Sequence, residues 1–204
     1  MSARPYLILL PLSVLAACQA PSEQTPQAAS SAESFFAELG SLCTGEAYAG
    51  QLVSQDAVDS DFRTAKIVMG PALCTESKIE IPLAVGEDRS RIWQITRTDM
   101  GLRLKHDHSH ADGSKDTLTQ YGGDSTLPGQ STRQEFPVDA ETRTLFTAEN
   151  IEVSNQNTWA VEVDPGEDFA YEMSRPNRFF RLEFDLSEAT EAPPPPWALA
   201  PIEP

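Results

Sequence analysis

The sequence predicts a mainly β fold: an antiparallel meander of nine or ten strands, closed as an up-and-down barrel of the lipocalin or avidin kind, with a short N-terminal helix and one short inserted helix. Three observations predict it. Apolar residues alternate with polar ones at period two through most of residues 46 to 186, the mark of strands buried on one face. Short turn signals separate the runs: Gly86-Glu87-Asp88, Asp112-Gly113, Gly122-Gly123, Asp164-Pro165-Gly166 and Pro176-Asn177. Few segments carry a helical period, so a sheet this long has little to cover its edges and is expected to close on itself. A β-sandwich fits the same pattern and is the alternative.

In chain order, Ser34-Phe35-Phe36-Ala37-Glu38-Leu39-Gly40 reads as a short helix. Ser34 can cap it, Phe35, Phe36 and Leu39 form its apolar side, and Gly40 ends it. Strand periodicity follows in Tyr48, Gly50 and Leu52, then in Ala65, Ile67 and Met69, then in Ile79, Ile81, Leu83 and Val85. Pro82, on the outer set, lacks an N–H and marks an edge or a bulge. Further runs are Trp159, Val161 and Val163; Phe169, Tyr171 and Met173; and Phe180, Leu182, Phe184 and Leu186. The inserted helix falls at Pro137–Phe146, with Asp139 as N-cap and Leu145 and Phe146 as apolar anchors, and is placed to plug one end of a barrel.

Two central hairpins can be registered from the pattern. A two-residue turn at Asp99-Met100 sets Arg91 opposite His108, Trp93 opposite His106, Ile95 opposite Leu104 and Thr98 opposite Gly101, so that the apolar faces coincide; a slip of one residue would split them. A second turn at Asp112-Gly113, a favoured hairpin dipeptide, sets His108 opposite Thr117, His106 opposite Thr119 and Leu104 opposite Tyr121. One face then collects Arg91, Trp93, His106, His108, His110 and Tyr121, including all three histidines of the chain.

Residues 1–17 read as a lipoprotein signal peptide. Arg4 precedes an apolar run, Tyr6 to Leu15, too short to span a bilayer and broken by Pro11. The run ends in Leu15-Ala16-Ala17-Cys18, which resembles a bacterial lipobox. That resemblance implies cleavage before Cys18, acylation of Cys18 with chains such as palmitate, and a mature protein held on the lipid bilayer of the cell envelope. Gln19 follows the cysteine, and the absence of Asp there implies the outer membrane, periplasmic face. Residues 18–33 form the lipidated cysteine and a tether without large apolar residues, about 20 Å long by random-coil scaling. The β domain is expected over 34–186 and a Pro-rich tail over 187–204, with Trp197 in it.

The mature chain carries 14 basic against 31 acidic side chains once Arg4 is removed. That balance disfavours nucleic acid as a partner and fits a solvated surface. Cys43 and Cys74 are the two cysteines left after Cys18. In an exported protein they most simply form a disulfide, whose loop closure contributes roughly 3.5 kcal/mol.

Three readings fit the histidine face. As a ligand site, Arg91, Trp93, His106, His108 and Tyr121 line a pocket for a small molecule. As a metal site, zinc or another divalent ion would draw on His106, His108, His110 and Asp112, with Asp116 as another carboxylate. Alternating histidines on a straight strand span about 13 Å, so one ion with bonds of about 2 Å cannot take all three. As a hydrated hairpin end, the histidines would pair with Asp107, Asp112 and Asp116. Arg89 and Arg91 are expected to pair with Glu87 and Asp88. No nucleophile elbow, P-loop or dinucleotide fingerprint occurs, and no catalytic residue or resident cofactor is assigned.

The segment Asp88-Arg89-Ser90-Arg91 with Trp93, followed by the run Leu104–Gly123, is similar to a group of uncharacterised bacterial secreted or lipid-anchored proteins, over roughly residues 35 to 186. It implies no particular activity. The functional expectation is an envelope lipoprotein that binds a small ligand in its barrel. The alternatives are an envelope protein-interaction module and a metal-dependent enzyme using the histidine hairpin.

Overall fold

The computed structural model describes residues 30–126 and 129–199. The signal segment, Cys18 and the first part of the tether lie outside the described residues. Among the described residues, no helix is long and apolar enough to cross a membrane.

The fold is mainly β: eleven strands form one antiparallel sheet, nearly closed into a barrel. They are β1 Ala47–Leu52, β2 Ile67–Met69, β3 Leu73–Cys74, β4 Lys78–Val85, β5 Asp88–Thr98, β6 Gly101–His108, β7 Tyr121–Asp124, β8 Arg133–Pro137, β9 Thr158–Asp164, β10 Asp168–Arg175 and β11 Arg178–Thr190. Ten of them run round the wall in chain order, and β11 returns to β1. The extra strand, β3, follows β2 along the same edge of β4. Pro82 explains the interruption. Its carbonyl accepts the Gly70 N–H at 2.8 Å, and its missing N–H faces the gap between β2 and β3, where no ladder bond is required.

The wall is weakest between β7 and β8. There, among the described residues, two backbone bonds cross: Thr126 N–H to the Glu135 carbonyl at 2.9 Å, and Asp139 N–H to the Gly122 carbonyl at 3.0 Å. Gly122-Gly123, expected as a turn, instead lies within β7. A side chain at Gly123 would meet the Pro137 carbonyl oxygen at 1.8 Å, so glycine is what lets β8 approach.

Helix α1, Ser31–Leu39, starts earlier than expected, with Ser30 rather than Ser34 as N-cap; the Ser30 hydroxyl accepts the Glu33 N–H at 3.2 Å. Phe35 and Leu39 are fully buried in the barrel core. Glu33 pairs with Arg97 at 3.2 Å, and the Arg97 guanidinium lies 4.3 Å over Phe36. Arg97 adjoins the β5–β6 turn, so α1 fills the barrel end that carries this turn. The Cys43–Cys74 disulfide, across a separation of 31 residues, staples the turn after α1 to β3.

Helix α3, Ala140–Ala148, is capped by Asp139, which accepts the Thr142 N–H at 2.7 Å. It lies along the β7–β8 seam, with Phe146 reaching the mouth opposite α1, and the buried Thr142 hydroxyl accepts the Gly122 N–H at 2.8 Å and donates to the Gly122 carbonyl at 3.0 Å. Helix α2, Ser60–Thr64, has five residues and brings Phe62 to the opposite mouth.

Strand β11 continues to Thr190, past the expected domain end at 186. The Pro-rich stretch then packs on the outer wall, where Pro193–Pro196 lie in a groove with Pro71, Leu73 and Pro82. Arg89 donates to the Pro195 carbonyl at 2.5 Å. Trp197 is half-buried. On the outer face of β8–β11, Arg133 and Arg181 bridge Glu162 and Glu172.

Candidate functional site

Alternation along the β5–β6 hairpin sends Trp93, Ile95, Leu102, Leu104 and His106 into the barrel, with His108 half-buried above them. The pairing is the expected one throughout: Thr98 opposite Gly101, Ile95 opposite Leu104, Trp93 opposite His106 and Arg91 opposite His108. With α1 covering the turn end, the polar members of this face arrive at the other mouth.

The second hairpin differs from expectation by two residues. His106 faces Tyr121, and Leu104 faces Gly123; beyond them a bridge joins Ser109 to Lys115. Asp107 accounts for the shift. Its carboxylate, 3 % exposed, accepts Lys115 Nζ at 2.6 and 2.8 Å, Gln120 Nε2 at 3.0 Å and the Thr119 hydroxyl at 3.2 Å. Gathering these donors bunches residues 115–120 into a loop, and Gln120 takes a positive φ of 56°. A slip of two residues preserves the face, so Tyr121 still points inward but one step nearer the mouth.

There, the Tyr121 ring stacks on His106, with centroids 4.5 Å apart and planes 13° apart. Trp159 and Tyr171 enclose the imidazole at 5.1 and 5.7 Å. Burial holds the His106 pKa down at about 3, so the ring is neutral, with one N–H and one bare nitrogen. Its Nδ1 lies 3.0 Å from the Tyr121 backbone carbonyl, which can only accept. Nδ1 therefore carries the proton, and Nε2 accepts the Tyr171 hydroxyl at 2.7 Å. Both nitrogens are occupied, which makes His106 a core histidine. Burial raises Tyr171 well above the ordinary phenol range, with the Tyr121 phenol adding to the effect.

His108 is held down at about 4, chiefly by burial and then by the charge of Arg91. Its Nε2 lies 3.1 Å from the Tyr121 hydroxyl, and burial pushes that phenol up to about 12. Nδ1 of His108 has no protein partner among the described residues. His110 and Asp112 are exposed, and Asp112 accepts from the backbone and hydroxyl of Ser114 at 3.0 and 2.6 Å. Asp116 accepts the Leu118 N–H at 2.9 Å. The aspartates expected to pair with the histidines thus serve the loop instead. Nor do His106, His108, His110 and Asp112 converge as a ligand set: among the described residues, the one group of three or more donors close enough to share an ion is the exposed trio Asp164, Glu167 and Asp168.

Around these groups the mouth opens into a cavity of 430 Å³. Its walls include Phe62, Tyr121, Phe146, Trp159, Tyr171 and Phe180, and all five proposed ligand residues, Arg91, Trp93, His106, His108 and Tyr121, line it. Arg91 pairs with Asp88 at 2.6 Å, as expected, and lies 5.6 Å over Phe62; Arg89 instead reaches the tail. Arg178 pairs with Asp56 at 2.8 Å and Asp59 at 2.5 Å. Hydrogen bonding to the Phe179 N–H and then to Arg178 holds the Asp56 carboxyl below its usual range. Arg175 donates to Asn157 Oδ1 at 3.1 Å.

Sequence reading missed Phe62, Trp159, Tyr171, Arg175 and Arg178 as lining residues. The alternation of Trp159 and Tyr171 with polar neighbours already marked them as inward, but not which end of the barrel they reach. Phe62 gave no periodic signal, because its helix is barely one turn long.

No protein-family model matches the chain, and neither a curated protein nor a solved structure is found to resemble it.

Proposed function

We propose that this protein is a lipid-anchored envelope lipoprotein whose barrel binds a small, largely apolar molecule at its mouth. The cavity carries the reading. Its 430 Å³ falls within the range of small-molecule sites, about 300–1,000 Å³, and its mostly aromatic walls with a few polar groups match their usual composition. A filled core would instead have favoured the protein-interaction module. Anchoring at Cys18 rests on Leu15-Ala16-Ala17-Cys18.

The test uses 1-anilinonaphthalene-8-sulfonate, a ring probe that fluoresces when it leaves water. The purified native protein is expected to bind it saturably at one site. Met173→Trp, which places an indole in the cavity, is expected to abolish that signal while cooperative urea unfolding persists. Absence of saturable binding, or binding that survives the filled cavity in a folded variant, overturns the reading.

A further inference from the structure

Charge inside the mouth runs against charge over the whole molecule. The chain has 15 basic and 31 acidic side chains, yet the cavity is lined by three arginines, Arg91, Arg175 and Arg178, against two acids, Asp59 and Asp116. The inner histidines are neutral near pH 7 and do not change that balance.

The three guanidiniums are not equivalent. Arg91 is neutralised by Asp88, and Arg178 by Asp56 and Asp59. Among the described residues, the Arg175 guanidinium donates only to the neutral amide of Asn157 at 3.1 Å and the sulfur of Met173 at 3.9 Å. Among the described residues, no carboxylate lies within ion-pair distance of it. It is half-buried at the end of β10, where apolar walls strengthen its field relative to open water. A guanidinium presents five N–H donors in a planar fork, and Asn157 uses one.

The geometry points to a small organic anion as the ligand: a molecule with a carboxylate or similar planar acid group on a ring-bearing or otherwise apolar body, with Arg175 as the residue that selects the charge. The body would lie against Phe62, Tyr121 and Phe180. His108, on β6 and separated from β10 by β7, β8 and β9 across the seam, supplies a second polar contact. When the Tyr121 hydroxyl donates to Nε2, neutral His108 keeps its proton on Nδ1 and offers that N–H to the ligand. The inference rests on the cavity being a binding site and adds the sign of the ligand's charge and the residue that reads it.

The test compares two probes of one shape: naphthalene-2-carboxylate and its uncharged amide, naphthalene-2-carboxamide. Binding is followed by quenching of tryptophan fluorescence in the purified protein, since Trp93 and Trp159 line the cavity. The carboxylate is expected to bind at least tenfold more tightly than the amide. Arg175→Gln is expected to erase that difference by weakening the carboxylate at least tenfold more than the amide, whereas Arg91→Gln retains most of it. Equal affinity for the two probes in the unmodified protein, or discrimination that survives in Arg175→Gln, overturns the assignment of charge but leaves the cavity as a binding site. Binding of neither probe overturns both readings.

Discussion

His106 donates to a carbonyl through Nδ1 and accepts a phenol through Nε2; protonation would set a second N–H beside the Tyr171 hydroxyl, in a site without a counter-ion. Unfolded, a histidine titrates near 6.5; folded, His106 and His108 are held at about 3 and about 4. Between those limits the unfolded chain binds more protons, so stability is complete above about pH 6.5 and falls as pH drops. Each histidine contributes a slope of at most about 1.4 kcal/mol per pH unit. Urea unfolding between pH 6.5 and 5 is expected to show that decline, and His108→Phe to remove about half of it. Carboxylates held low by their partners, such as Asp107 and Asp139, act below this window. The histidine face itself was readable from alternation alone. The fate of its members was not: Tyr171, the phenol that occupies His106, lies 65 residues away in sequence, and no local pattern links the two.

The β5–β6 hairpin and the β6–β7 connection show where register can be read. In the first, apolar residues on both strands must coincide, and one register satisfies them. In the second, the deciding interaction is a buried carboxylate, Asp107, collecting three side-chain donors from the following loop. Hydrophobic pattern carries no record of such a preference, so the turn dipeptide suggested a pairing two residues away from the real one. The β7–β8 seam was likewise invisible, because glycines there read as a turn. Its stability depends on few bonds, and Thr142 makes two of them. Thr142→Val keeps the shape but leaves the Gly122 N–H buried and unpaired, a loss of roughly 2 kcal/mol. Chemical denaturation is expected to show that loss, with faster hydrogen exchange at Gly122 and Asp139; unchanged stability would mean the strands alone hold the seam.

For the molecule as a whole, barrel closure followed from counting strands and finding nothing to cover their edges. A pocket on the histidine face was one of three readings; its extent did not follow, since it depends on which mouth side chains meet and which fall short. The two helices also divide the work: the N-terminal one fills an end, and the inserted one lines the seam, with Phe146 at the opposite mouth. The proposed attachment to the envelope is tested at this scale as well. Cells given labelled palmitate are expected to incorporate it into the protein, and Cys18→Ser is expected to abolish the label and release the chain from the membrane fraction. A labelled Cys18→Ser variant would remove Cys18 as the anchor.

Ala47 pairs with Thr190, so the beginning and end of the barrel lie side by side, while the thinnest junction falls mid-chain between β7 and β8. The molecule is in effect a ribbon rolled until its two natural ends became a continuous stretch of wall, leaving the slit at its middle. A circular permutant that joined the old ends by a linker and opened the chain between Asp124 and Arg133 would keep every strand pairing of the sheet. The slit would then become the place where the chain starts and stops.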